Sequence, residues 1–159
     1  MKLRTLALLL ATIPSLHAQQ PTKGAPMQHA TGSFEPDIKP VPADFPTAPN
    51  LGRMTMHKQF HGDIEGTSIG QMLTSMSATK GSAGYVAVEL VTGTLDGHSG
   101  TFSLIHLGLM DRGKPTLTCT VVPDSGTGDL LGLTGTLTIH VAPDGKHTYD
   151  FDYVLRTRP

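Results

Sequence analysis

The chain has 159 residues, 38% of them hydrophobic and 16% charged, with a formal net charge of −1. That length is about one domain, and the near balance of charge leaves neither a nucleic-acid footprint nor an acidic tail, so no nucleic-acid partner is expected. With 18 Gly, 12 Pro, 21 Thr and no Trp, the composition speaks against a helical bundle and for short strands joined by turns; the lone Cys excludes an intramolecular disulfide framework and any Cys-rich zinc module.

The N-terminus reads as an export signal. Met1-Lys2-Leu3-Arg4 is a short basic region, Leu6 to Ile13 an apolar one, and Pro14 breaks it before Ser15-Leu16-His17-Ala18. Cleavage is expected after Ala18, placing the protein in the periplasm or outside the cell. The apolar run falls well short of the roughly 20 residues that span a bilayer, so no membrane span is expected. No Cys lies near the cut to carry a lipid. Without residues 1–18 the chain keeps 141 of its 159 residues and, having lost Lys2 and Arg4, carries a net charge of −3. That is long enough to bury an ordinary core without staples.

Residues 19–28 read as a flexible leader and 29–159 as one domain. Seven of the twelve prolines fall between 19 and 50. A strand at 29–35 is therefore expected to stop before Pro36, with 39–52 an extended Pro-rich loop. Beyond it, β-rich runs near 53–61, 66–77, 82–94, 100–111, 115–122, 133–142 and 147–156 alternate with turn residues, including Asp96-Gly97, Arg112-Gly113 and Asp144-Gly145. The stretch 66–77 is ambiguous, since Gln71, Met72, Leu73 and Met76 also suit a helix.

Eight strands with short connections predict an all-β, antiparallel up-and-down barrel, of a size whose interior holds side chains or one small ligand. A two-sheet sandwich is the competing arrangement. In the last run Tyr149, Phe151, Tyr153 and Leu155 alternate with Asp150 and Asp152, so the aromatic set shares one packed face and the carboxylates face water. Cys119 sits on the Leu117/Val121 side of its run, as a small core residue would.

The most informative hairpin joins 84–91 to 101–107. If Asp96-Gly97 is a two-residue turn, Glu89 faces Leu104 and His106 faces Ala87, making Glu89 and His106 diagonal neighbours on one face. Tyr85, Val91 and Phe102 share that face, which is apolar enough to be a lumen. A buried Glu and His must be paired or neutralised. They can fix strand register, contact a ligand, or act as acid and base. A three-residue turn would separate them.

Other motifs carry less. Gly126-Thr127-Gly128-Asp129-Leu130-Leu131-Gly132 has the wrong spacing for a dinucleotide fingerprint and leads into a strand, so no cofactor is implied. Gly97-His98-Ser99-Gly100-Thr101 lacks the last glycine of a nucleophile elbow and fits a hairpin turn. His57 and His61 lie about 13 Å apart along a strand, and no convergent metal-ligand set is evident.

Four segments carry a resemblance: Ala30-Thr31-Gly32-Ser33-Phe34, Lys58 through Ser68, Glu89 through Gly97, and Val122 through Leu130. Together they resemble the small bacterial family catalogued as domain of unknown function 3224, over about 30–155. That family looks related to the allene oxide cyclase and dirigent barrels, eight-stranded antiparallel barrels with a lumen for apolar ligands. The resemblance implies the barrel rather than the sandwich and brings no established activity. It places Glu89 and His106 at positions usually acidic and His. Gln71 stands where Glu is common, Leu90 and His98 where basic residues are common, and the export signal is a further departure. The combined expectation is a barrel binding a small apolar molecule in its lumen, with Tyr85, Glu89, His106, Gln71 and Phe102 as contacts. Glu89 and His106 are the candidates for chemistry in an alternative isomerase or cyclase, and an envelope assembly protein is a third reading. A homo-oligomer stays open.

Overall fold

The computed structural model of the chain describes residues 25–42, 45 and 47–156. The expected export signal, residues 19–24 of the expected leader, residues 43, 44 and 46 of the proline-rich loop and the last three residues lie outside them. Eight strands follow one another: β1 (Gln28–Val41), β2 (Leu51–Gly62), β3 (Ile64–Met76), β4 (Ala83–Leu95), β5 (His98–Asp111), β6 (Lys114–Val121), β7 (Thr134–Val141) and β8 (His147–Val154). Each pairs antiparallel with the next and β8 returns to β1, closing the barrel. The sandwich is thereby excluded, and the ambiguous stretch is strand from 66 through 76.

The turns follow from residue type. Asp96 and Gly97 have φ of 49° and 82°, and Arg112 and Gly113 have 46° and 85°. Positive φ at both central positions is what a two-residue type I′ hairpin requires. The β4–β5 register follows at once, with Glu89 opposite Leu104 and Ala87 opposite His106.

One expectation is corrected. The first strand does not stop at Pro36; it runs through Pro36 and Pro40 to Val41, paired with β2, so the connecting loop is shorter than 39–52. The reason lies in parity. Odd residues of β1 bond to β2, as Thr31 does by accepting from Asp63 N (3.0 Å). Even residues point their N–H at the other edge, where pairing with β8 ends at Phe34↔His147. Prolines at 36 and 40 therefore remove donors that had no acceptor.

The closure between β6 and β7 is slight, a single pair at Thr120↔Thr136 with Thr120 Oγ1 donating to Gly135 O (2.9 Å). Since β6 covers only Leu104–Asp111 of β5, the segment 122–130 takes over along the first half of that strand. Val122 N donates to Ser103 O (2.9 Å) and Thr127 N to Thr101 O (2.8 Å). The glycine-rich run serves this approach: a Cβ at Gly100 would lie 2.1 Å from Thr127 O. The segment contains a 3₁₀ turn, Gly128–Leu130, where only irregular chain was expected, and Leu130 and Leu133 seal that end of the barrel.

Inside, the barrel is divided. The sealed end is packed with aromatic and branched side chains, among them Phe60, Ile64, Leu95, Phe102, Tyr149, Phe151 and Tyr153. Phe102 stacks on Phe151 at 6.0 Å and Phe151 on Tyr153 at 5.3 Å. The buried hydroxyls are satisfied: Ile64 N donates to Tyr149 Oη (2.8 Å) and Tyr153 donates to Asp96. The opposite end holds a smaller group, Met56, Met72 and Ala87, with Met54 and Tyr85 against it. Asp150 and Asp152 stand on the outer surface, bridged to His29 and His140.

Candidate functional site

Between the packed end and the loose end lies a buried polar layer of Lys58, Ser68, Glu89 and His106. Strand alternation puts them there. Met54, Met56, Lys58 and Phe60 are successive inward positions of β2, and Lys58 is paired with Ser68 on β3. Glu89 stands opposite Gly70, where a Cβ would lie 2.8 Å from Glu89 Cβ; a strand glycine here makes room for the acid.

Three donors converge on the Glu89 carboxylate. Lys58 Nζ reaches Oε1 at 2.8 Å, His106 Nε2 reaches the same oxygen at 2.9 Å, and Ser68 Oγ donates to Oε2 at 2.9 Å. Burial pushes the Glu89 carboxyl up, but the His106 hydrogen bond and the Lys58 charge outweigh it and hold it at about 2. The acid is therefore ionised, and His106 Nε2 must carry the proton it shares with it. The ammonium of Lys58 also lies 4.8 Å from the Phe34 ring centre, a cation–π contact inside the barrel. Cys119 Sγ sits 3.6 Å from His106 Nε2, and burial pushes its thiol up to about 12, leaving it unreactive at neutral pH.

Above this layer the barrel is hollow. A cavity of about 570 Å³ opens at the loose end; Met56, Met72, Met76, Met110, Ile139 and Val141 are among its wall residues. Lys58 and His106 reach it, whereas Glu89 and Ser68 do not line it. His106 bonds Glu89 through Nε2 while its ring forms part of the cavity wall. Tyr85 lines the cavity as well, its ring lying over Gly108, where a Cβ would come within 2.0 Å of it. Burial pushes its phenol up.

Of the five residues expected in the lumen, the barrel brings Glu89 and His106 into contact and puts Tyr85 on the same inward face, along the cavity wall. Phe102 points inward but belongs to the packed end, away from the cavity. Gln71 is a correction: it is an odd-numbered residue of β3, exposed on the outer surface between Thr55 and Val88. Lys58 and Ser68 were missed, although the run Met54-x-Met56-x-Lys58-x-Phe60 already puts the lysine on an apolar face.

Fold and site together define a closed eight-stranded antiparallel barrel, half filled and half hollow, with a neutralised ionic layer as the floor of the hollow. The family model described as "Protein of unknown function (DUF3224)" matches residues 30–153, and the chain belongs to that family. It is similar to the crystal structure of a protein of unknown function from the same family in Shewanella oneidensis MR-1. The two share 42% sequence identity with a TM-score of 0.78, covering 84% of this chain and 100% of that one. A search of curated proteins finds no match.

Proposed function

We propose that the open end of the barrel receives a small, largely apolar molecule in an exported protein. The observation that carries this reading is the contrast inside the cavity: a methionine-rich wall with Lys58 and His106 on its floor. Concave, mostly apolar sites with a few convergent polar groups are where small ligands bind. Methionine adapts to irregular shapes, so such a wall suits a ligand without rigid outline. Lys58 offers an N–H, and the His106 ring is a second polar group. A ligand with one polar end therefore meets both there. Tyr85 adds a hydroxyl nearer the mouth.

The isomerase or cyclase alternative is less well supported, because Glu89 is already satisfied by three donors behind the floor and does not line the cavity. A purely structural barrel gains nothing from the hollow.

The test is native mass spectrometry of the protein purified from its own periplasm, joined to titration with an apolar fluorescent probe. The expected result is a retained mass or saturable probe binding, weakened when Ala83→Trp fills the mouth. The same spectrum reads export, with the mature chain expected to begin at Gln19. Probe binding that does not saturate, with no retained mass, overturns the ligand reading.

A further inference from the structure

The outer surface of β3, β4 and β5 breaks the rule that an antiparallel sheet is apolar inside and polar outside. Ile69 and Leu73 on β3, Val86, Val88 and Leu90 on β4, and Ile105 and Leu107 on β5 all point away from the lumen. They are 39–57% exposed. They are not scattered. Register makes them cross-strand neighbours: Leu73 lies opposite Val86 and Val86 opposite Leu107, Ile69 lies opposite Leu90, and Val88 opposite Ile105. The outward residues among them and along β3, β4 and β5, Thr67, Gln71, Thr92 and Ser103, are uncharged, and Arg53 and His57 of β2, paired with Leu73 and Ile69, mark the edge of the patch.

The rest of the barrel differs. Outward positions carry Glu35, Asp37 and Lys39 on β1, His57, Gln59 and His61 on β2, Thr116 and Thr118 on β6, Thr138 and His140 on β7, and Asp150 and Asp152 on β8. An apolar sector on three strands of eight is not the continuous girdle a barrel needs against lipid, which must be apolar all round.

We infer that this face is a self-association surface on which a second copy of the chain docks as an isologous dimer, with β4 at its centre. Two properties select a second copy over another partner. At 39–57% exposure the seven residues leave roughly 600 Å² of surface, at the upper limit of the largest patch on a typical monomer and approaching the roughly 800 Å² that each partner of a stable complex buries. The seven residues themselves carry no charge, with Arg53 and His57 only at the β2 edge, so the apolar centre on β4 complements itself, as a two-fold interface must. Packed sheets about 10 Å apart would bring Val88 of one copy near Val88 of the other. The inference is independent of what the cavity holds.

Sedimentation velocity of the mature protein across the micromolar range tests it. The expected result is twice the chain mass, falling to one chain mass for Val88→Asp and for Ile105→Lys with circular dichroism and thermal unfolding unchanged. Thr138→Asp, on the far side, is expected to keep the dimer. A second measurement uses Val88→Cys with a short bis-maleimide, expected to give cross-linked pairs from that position alone, because Cys119 is buried with its thiol pushed up to about 12. A wild-type protein that stays monomeric across the range, a dimer that survives both patch variants, or a Thr138→Asp protein that dissociates as they do would overturn the inference.

Discussion

The two ends of one barrel, built from the same eight strands, are put to opposite use. At the sealed end, inward positions carry aromatic rings in contact, with Phe60 and Tyr149 at a centroid distance of 5.8 Å and Phe102 stacked on Phe151 at 6.0 Å, and the segment after β6 bonds along the start of β5. At the open end the same inward alternation carries methionine, alanine and glycine, and β6 and β7 form no ladder pair there, their single pair at Thr120↔Thr136 lying toward the packed end. Rigid, well-packed side chains make a core, whereas small and flexible ones leave a hollow. The ionic layer at the boundary belongs to both: it caps the core and floors the cavity.

If this division is right, truncation should cost very different amounts at the two ends. Phe151→Ala, fully buried and stacked on two rings, is expected to lower unfolding free energy by about 3–5 kcal/mol in urea titration. Met76→Ala at the mouth, 60% exposed, should cost less than about 0.5 kcal/mol. Equal losses would break the comparison.

The boundary should behave as a charged unit. Lys58→Met leaves the Glu89 carboxylate buried without its cation and is expected to cost about 3 kcal/mol, while adding Glu89→Leu recovers most of that loss. A double variant no more stable than the single one would mean that the pair is not what makes the lysine necessary.

Acid should find the same layer. The folded Glu89 carboxyl is held near 2, below the ordinary 4.5. A depressed carboxyl contributes stability that is fully present above about pH 5 and is lost as the pH falls through about 2. The wild-type denaturation midpoint should therefore drop more between about pH 5 and pH 3 than that of Glu89→Gln. Parallel lines for the two proteins would count against the ionised, three-donor arrangement.

The smallest effect is expected at Cys119. With its thiol pushed up to about 12, it should resist a thiol reagent at neutral pH in the folded protein and react on unfolding. Rapid labelling of the native state would place it in open contact with the cavity.

Much of this was legible locally. Asp96-Gly97 dictates a two-residue turn, and from that turn alone the Glu89–His106 contact follows, since strand pairing propagates register residue by residue. The packed face of Tyr149, Phe151, Tyr153 and Leu155 follows equally from a period of two. The sequence misleads on β3, where Ile69 and Leu73 on one side and Ile64 and Met72 on the other make both faces apolar. Alternation then cannot say which face is the lumen, and Gln71 was put on the wrong one. The ambiguity and the outer apolar patch have one cause.

By itself, then, the chain determined most of its strands, its hairpin turns, the β4–β5 register and the family it belongs to, because each depends on a few neighbouring residues and on the pleat. Only the tertiary structure decided that Lys58 completes the Glu89–His106 pair, that Pro36 and Pro40 sit harmlessly on an unpaired edge, and that one end of the barrel is hollow. Those outcomes depend on side chains from several strands meeting across the lumen and on whether their summed volume fills it, and no local pattern encodes that sum.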